Sequence, residues 1–260
     1  MALFKKALTM IAKNLEVAYP DGTIALSGVN IEIPEGKFYG LLGMNGSGKT
    51  TLLKALAGLF PKYRGSIQVE SREIRDYPAR ELYQRLGMVF HDPNLQLLSS
   101  TVFEEVALGP NNLGLNPEEV KERAWRSLAD VDMEALAEKG IQRISYGQKK
   151  RICVAGMLTM GQRILLLDEP TEGLDPKGEK KIMGLLMKLN KEKGITILMA
   201  THHVELAAQY CDSVCLLHKG KVETEGRPED VFSNAPLMES LGLRVPFTFN
   251  IHGAASPQLS

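Results

Sequence analysis

Two stretches of this 260-residue chain carry residue types that can act on a phosphate. The first is Gly43-Met44-Asn45-Gly46-Ser47-Gly48-Lys49-Thr50, with the pattern G-x-x-x-x-G-K-[ST]. Glycines let a backbone curl until several N–H groups face one anion. Lys49 offers a full positive charge to the outer phosphates of a nucleotide, and Thr50 offers a hydroxyl to Mg2+. The second stretch is Ile164-Leu165-Leu166-Leu167-Asp168-Glu169, an apolar run that ends in two carboxylates. Beside a phosphate loop, Asp168 suits the Mg2+ shell, through water because Mg2+ dehydrates reluctantly. Glu169 suits a general base acting on the attacking water. Without Lys49 in the chain, two solvated acids at a strand end would be the plainer reading.

These residues need elements to hold them. Residues 38–42 form an apolar run that reads as a buried strand, and 51–57 read as a helix ending at Gly58. Strand, glycine loop, helix is the context that makes the pattern a phosphate site, and the helix N-terminus adds N–H groups and partial positive charge. Ahead of it, residues 8–17 and 24–33 read as strands joined by the turn Tyr19-Pro20-Asp21-Gly22. The face of Tyr19 can stack on a nucleobase. A tyrosine at the edge of a turn is the plainer reading of the residue by itself. Further on, 66–70 read as a strand, 78–85 as a short helix and 86–90 as a core strand. His91 follows that strand, at the kind of strand end where ligands gather in open α/β sheets.

From about 99 to 142 the pattern is helical without strands. Asn116-Pro117-Glu118-Glu119 is a helix start, and Val120, Ala124, Leu128 and Val131 recur at helical spacing, with Trp125 read as core. Ser145-Tyr146-Gly147-Gln148-Lys149-Lys150-Arg151 opens the next helix. Ser145 can cap it, Gly147 permits close approach, and the basic helix start suits a second anion. A capped basic helix start is also common as plain structure. Ile152, Ala155 and Leu158 supply its buried side. After a turn at Glu172-Gly173-Leu174-Asp175-Pro176, 177–193 read as an amphipathic helix and 195–200 as a buried strand. His202 lies at that strand's end, where an imidazole can bind a γ-phosphate. A hairpin is expected over 214–224, a short helix from Arg227, and a loosely ordered tail beyond about Val245.

Lys+Arg and Asp+Glu each number 31, so the formal charge is zero and nothing supports a nucleic-acid footprint. No apolar run approaches a membrane span. Residues 1–10 hold two lysines but no extended apolar core follows, so a signal peptide is not expected. Cys153, Cys211 and Cys215 are few and odd in number, which fits a reducing cytoplasm. Cys211 and Cys215, placed one helical turn apart by spacing, read as small buried apolar residues and not as a metal site.

The order of these motifs resembles the ATPase subunit of an ABC transporter from end to end. Tyr19-Pro20-Asp21-Gly22, Leu95-Gln96-Leu97, Ser145–Arg151 and Glu172–Pro176 narrow the resemblance to the energy-coupling-factor branch. Within that branch the chain is most similar to the cobalt/nickel importer ATPases, although vitamin-importing members share the same patterns. The resemblance implies an α/β fold: a P-loop NTPase core of the ABC ATPase type with an antiparallel β subdomain and an inserted α-helical subdomain. It implies an ATPase domain over 1–245, the helical insertion at about 99–160, and a C-terminal tail over 246–260.

It further implies ATP and Mg2+ as ligands. Tyr19, Gly43 through Lys49, Thr50 and Thr51 would contact the nucleotide, with Thr50 and Asp168 on Mg2+. Glu169 would be the base and His202 the γ-phosphate contact. Two cassettes would pair head to tail, as a homodimer or with a second ATPase. Ser145, Gly147, Gln148 and Asp175 of one would then complete the other's site. A transmembrane coupling subunit and a separate substrate-binding membrane subunit would be the partners, on the cytoplasmic face of the cell membrane. The helical insertion would grip the membrane subunit.

Two departures matter. Ile144 and Tyr146 stand where the family signature has leucine and glycine. His91 stands where the family has the glutamine that touches Mg2+ and the attacking water. Histidine has no carbonyl oxygen, so His91 is expected to act one shell out, on a water, or to serve coupling alone. A soluble two-cassette protein would carry a second cassette or a coiled-coil insertion. A guanine-reading loop would need an aspartate that Asn190-Lys191-Glu192-Lys193 lacks.

Overall fold

A computed structural model describes residues 8–250. They form two compact units, one holding the chain up to 71 and from 198 onward, the other holding 72–197.

In the first unit, β1 (Leu8–Ala18) and β2 (Ile24–Pro34) pair antiparallel, with Ile11 opposite Glu32 and Leu15 opposite Val29. The turn between them closes through the Gly22 N–H, which donates to the Tyr19 carbonyl at 2.9 Å. Leu26, Val29, Ile31 and Ile33 of β2 are buried while their neighbours face outward. That alternation is what an antiparallel sheet with one covered face requires. β3 (Phe38–Leu42) is buried at every position, as a strand covered on both faces must be. It runs into the glycine loop and α1 (Lys49–Leu56). β4 (Arg64–Val69) returns antiparallel on the far edge of β1, giving the order β2-β1-β4.

The second unit opens with a two-residue strand, β5 (Arg72–Glu73), and a single helical turn, α2 (Ala79–Leu82). β6 (Leu86–Val89) follows, fully buried. Three helices, α3 (Val102–Asn112), α4 (Pro117–Asp130) and α5 (Tyr146–Thr159), pack on one another. Each start is chemically capped. Thr101 and Glu104 form a capping box on α3, the Asn116 side chain accepts the Glu119 N–H, and Ser145 with Gln148 forms a second box on α5. β7 (Ile164–Asp168) pairs parallel to β6, Leu86 beside Ile164 and Val89 beside Leu167. α6 (Pro176–Lys193) starts at an Asp175 cap and ends at Gly194 in the left-handed conformation.

The chain passes back into the first unit within β8 (Thr196–Thr201), whose six residues are all buried. There β8 lies next to β3, followed by β9 and β10. α7 (Val204–Tyr210) precedes β9 (Ser213–His218), which runs parallel to β3. β10 (Lys221–Gly226) closes the hairpin, through Lys219 and Gly220 at positive φ. The short helices α8 (Pro228–Phe232), α9 (Ala235–Ser240) and α10 (Phe247–Asn250) complete the unit.

Four readings of the sequence change. Trp125 is 38 % exposed and packs beside Phe103, because it lies off the Val120–Ala124–Leu128 stripe. Cys211 ends α7 while Cys215 lies inside β9, so no helical turn joins them. Both thiols are buried and free. Glu70 lies beyond β4 at φ +49, in the corner that reverses the chain. Of the expected tail, Phe247–Asn250 forms a helical turn and 251–260 lie outside the described residues.

Gly65 sits at φ +87 against a bulge in β1, where a Cβ would lie 2.4 Å from the carbonyl oxygens of Asn14 and Lys13. Gly65→Ala meets both strain and backbone that cannot yield. It should lower stability by more than about 1 kcal/mol, read as a lower urea midpoint at unchanged m-value.

Candidate nucleotide site

The glycine loop is bent by packing as much as by composition. Gly48 occupies φ +107, and a Cβ on Gly43 would lie 2.3 Å from the Leu217 carbonyl of β9. The Ser47 carbonyl accepts the Gly220 N–H at 2.9 Å, so the β9–β10 turn braces the loop. Lys49 opens α1 and is 6 % exposed; its ammonium donates to the Gly43 carbonyl at 2.7 Å and to Met44 at 3.3 Å. The Ser47 hydroxyl is buried and has no hydrogen-bond partner among the described residues. A curled loop with a lysine folded over it, a helix start and an uncommitted buried hydroxyl fit a polyphosphate.

Tyr19 and Thr51 meet at the other side of the loop, hydroxyl to hydroxyl, at 2.8 Å. The Tyr19 ring is edge-on to Phe60 at 5.7 Å and 40 % exposed, so a face stays open for a base. Met44, Asn45 and His202 line one cavity of about 640 Å3 in this unit, with Glu205, Glu239 and Arg244 on its walls. The loop and His202 thus face one cavity. The His202 and His203 rings stack with centroids 4.2 Å apart.

The second unit gathers another set. Asp168 ends β7 and Glu169 follows it; they are 3 % and 6 % exposed. Thr50, which belongs to the first unit, is exposed in the first turn of α1. A threonine hydroxyl and a buried carboxylate are oxygen donors of the kind Mg2+ takes. Glu169 sits at φ +46, a left-handed backbone that costs a residue with a Cβ about 1–2 kcal/mol. Its carbonyl accepts the Lys150 ammonium at 2.7 Å and the Glu172 N–H at 3.2 Å. His91 places Nε2 3.2 Å from a Glu172 carboxylate oxygen, and its carbonyl accepts the Tyr146 hydroxyl at 3.2 Å. Burial, then the Asp92 and Glu172 carboxylates, hold the Tyr146 phenol above its ordinary range.

The family described as ABC transporter matches residues 26–172. The chain belongs to the ABC transporter ATP-binding family. An energy-coupling factor transporter ATP-binding protein, EcfA of Methanosphaera stadtmanae, is 42% identical over 238 residues, covering 90% of this chain and 85% of that one. Among solved structures, CbiO1 of Clostridium perfringens, described as part of the ABC transporter complex CbiONQ, is 37% identical. It superposes with a TM-score of 0.81 over 95% of this chain and 100% of its own. An ATP-binding cassette solved as a dimer bound to ADP and phosphate is 32% identical. Its TM-score is 0.75 over 84% of this chain and 98% of that chain. The fold is the P-loop ABC ATPase fold, and the chain is an ATPase.

The cassette's signature peptide differs from its family pattern for visible reasons. The Tyr146 ring lies against Gly173, where a Cβ would come within 3.3 Å of it, and Gly147 leaves room for Leu174. Tyr146 thus packs on the turn before α6. The Ser145 and Gln148 side chains are engaged with each other's backbone, and Asp175 accepts the Gly178 N–H at 2.7 Å. The three basic residues beyond them are spent on protein groups: Lys149 on Asn94, Lys150 on Glu169, Arg151 on Val131.

Two features escaped sequence reasoning. Nothing local distinguishes Glu169 as left-handed. Lys150 was legible: it lies three and four positions before Cys153 and Val154, on the buried stripe of α5. It is 1 % exposed, and burial pushes its ammonium down to about 8 while Glu172 and Glu169 draw it back up.

Lys49→Ala should weaken ATP binding by about 1.5–3 kcal/mol, the worth of a charge-assisted contact, with hydrolysis lost besides. Calorimetric titration with MgATP checks it; affinity and turnover near the unaltered protein's would count against the loop.

Proposed function

We propose that this chain is the motor of a membrane importer of the energy-coupling-factor type, pairing head to tail with a second cassette and driving uptake of cobalt or nickel ions. The observation that carries the reading is the likeness to CbiO1 along essentially the whole chain. Residues 43–51 and Tyr19 bind the nucleotide, and Thr50 and Asp168 would hold Mg2+. When bound, Mg2+ neutralises charge on the outer phosphates. Glu169 takes a proton from the attacking water as its oxygen bonds to the γ-phosphorus. The bond to the bridging oxygen breaks, leaving ADP and phosphate. His202 contacts the γ-phosphate. His91, with Nε2 turned to Glu172, has Nδ1 left for a water beside it. Ser145, Gly147, Gln148 and Asp175 meet the partner's nucleotide.

Among the described residues no helix is long and apolar enough to cross a membrane. From the likeness to energy-coupling factor ATP-binding proteins, the motor is proposed as a peripheral subunit at the cytoplasmic face. It docks on a transmembrane coupling subunit, with a separate membrane subunit binding the cargo. Leu95 and Leu98 are 73 % and 79 % exposed on the loop between β6 and α3, and they suit that docking. A fully buried leucine contributes about 1.5–3 kcal/mol. Replacing both by aspartate should weaken co-purification with the membrane subunits at least a hundredfold while MgATP binding persists. Cargo is tested by uptake of cobalt, nickel or a vitamin into vesicles holding the whole complex.

Glu169→Gln keeps the shape of the side chain but not its basicity. With MgATP it should bind nucleotide, stall and accumulate as a dimer on size exclusion. Hydrolysis at the unaltered rate would remove Glu169 from the mechanism, and a strictly monomeric elution would count against the paired site.

A further inference from the structure

We propose that Lys150 is a positioning residue: its ammonium holds the Glu169 carbonyl, and through it the carboxylate, in the conformation that hydrolysis requires. The inference rests on Glu169 being the base. A buried ammonium is costly unless it is held by well-placed acceptors. Lys150 is 1 % exposed, and its Nζ lies 2.7 Å from the Glu169 carbonyl oxygen. The same Nζ sits 5.3 Å from the centre of the Tyr146 ring, within cation–π range. The residue it holds is the first one past the end of β7, with its backbone in the left-handed region. The carbonyl of such a residue turns away from the strand's own ladder, and an ammonium aimed at it favours that turn over the extended alternative. Rotation about the N–Cα bond, the φ that is left-handed here, swings carbonyl and Cβ together, so letting go of the carbonyl also releases the direction of the carboxylate.

The same contact fixes where the holding group comes from. Lys150 lies five residues beyond Ser145, inside the second turn of α5, so the helix that begins at the signature peptide carries it. In the proposed dimer that peptide faces the partner's nucleotide. Lys150 would then join the surface that senses the partner's site to the base of the chain's own. A plain space-filling role would be met nearly as well by methionine, an unbranched side chain one atom shorter than lysine, without charge or donors.

The experiment compares Lys150→Met, Lys150→Arg and Glu169→Gln with the unaltered full chain in MgATP hydrolysis. Lys150→Met should lower kcat at least tenfold, keep KM for ATP within about twofold, and accumulate the nucleotide-bound dimer as Glu169→Gln does. Lys150→Arg, which keeps charge and donors, should recover kcat to within about threefold. Should Lys150→Met fail to fold, Lys150→Gln, whose amide is too short to reach the carbonyl, carries the same expectation. Any other pattern overturns the proposal, whether an unaltered kcat without the ammonium or a loss that comes with a raised KM and is not relieved by arginine. Unimpaired hydrolysis in Glu169→Gln would instead overturn the base itself, so the two failures are told apart.

Discussion

A polyphosphate can be gripped by a protein backbone only where several N–H groups converge, and convergence needs a turn too tight for side chains. Here that turn lies at Gly43, where a Cβ would collide with the Leu217 carbonyl and with Ser47. The turn depends on β9, which runs parallel beside β3, and on the β9–β10 turn, whose Gly220 N–H holds Ser47 in place. The full burial of β3 and β8 follows from the same requirement. A loop that must not move is mounted on strands that are covered on both faces.

The second unit answers a different demand. In the proposed mechanism a base must be close to its water yet shielded, and Glu169 offers a buried carboxylate on a left-handed backbone. Lys150, the Glu172 N–H and the short turn to Asp175 restrain Glu169 from one side. Tyr146 ties in the His91 peptide and packs on Gly173. The tyrosine that replaces the family's glycine is therefore a fastening between the signature helix, the end of β6 and the turn before α6. His91 joins the same set through Glu172, which accounts for a histidine being accommodated where an amide was expected.

The sequence by itself determined the phosphate loop, the acid pair, the helix starts at Asn116 and Ser145, and nearly every strand. These are local facts. Glycine spacing, side-chain caps and continuous apolar runs act within a few residues, so they can be read without knowing the fold. The tertiary structure alone decided the rest. Glu169 is left-handed, and its carbonyl accepts both the nearby Glu172 N–H and the ammonium of Lys150, 19 positions back, which no local pattern announces. Lys149, Lys150 and Arg151 read as a basic patch, but each is engaged by a partner at least 19 positions away. Trp125 faces outward because the three-helix packing covers another stripe of α4. Charge and apolarity are written in the chain; which of them are neutralised or covered depends on groups that folding brings from elsewhere.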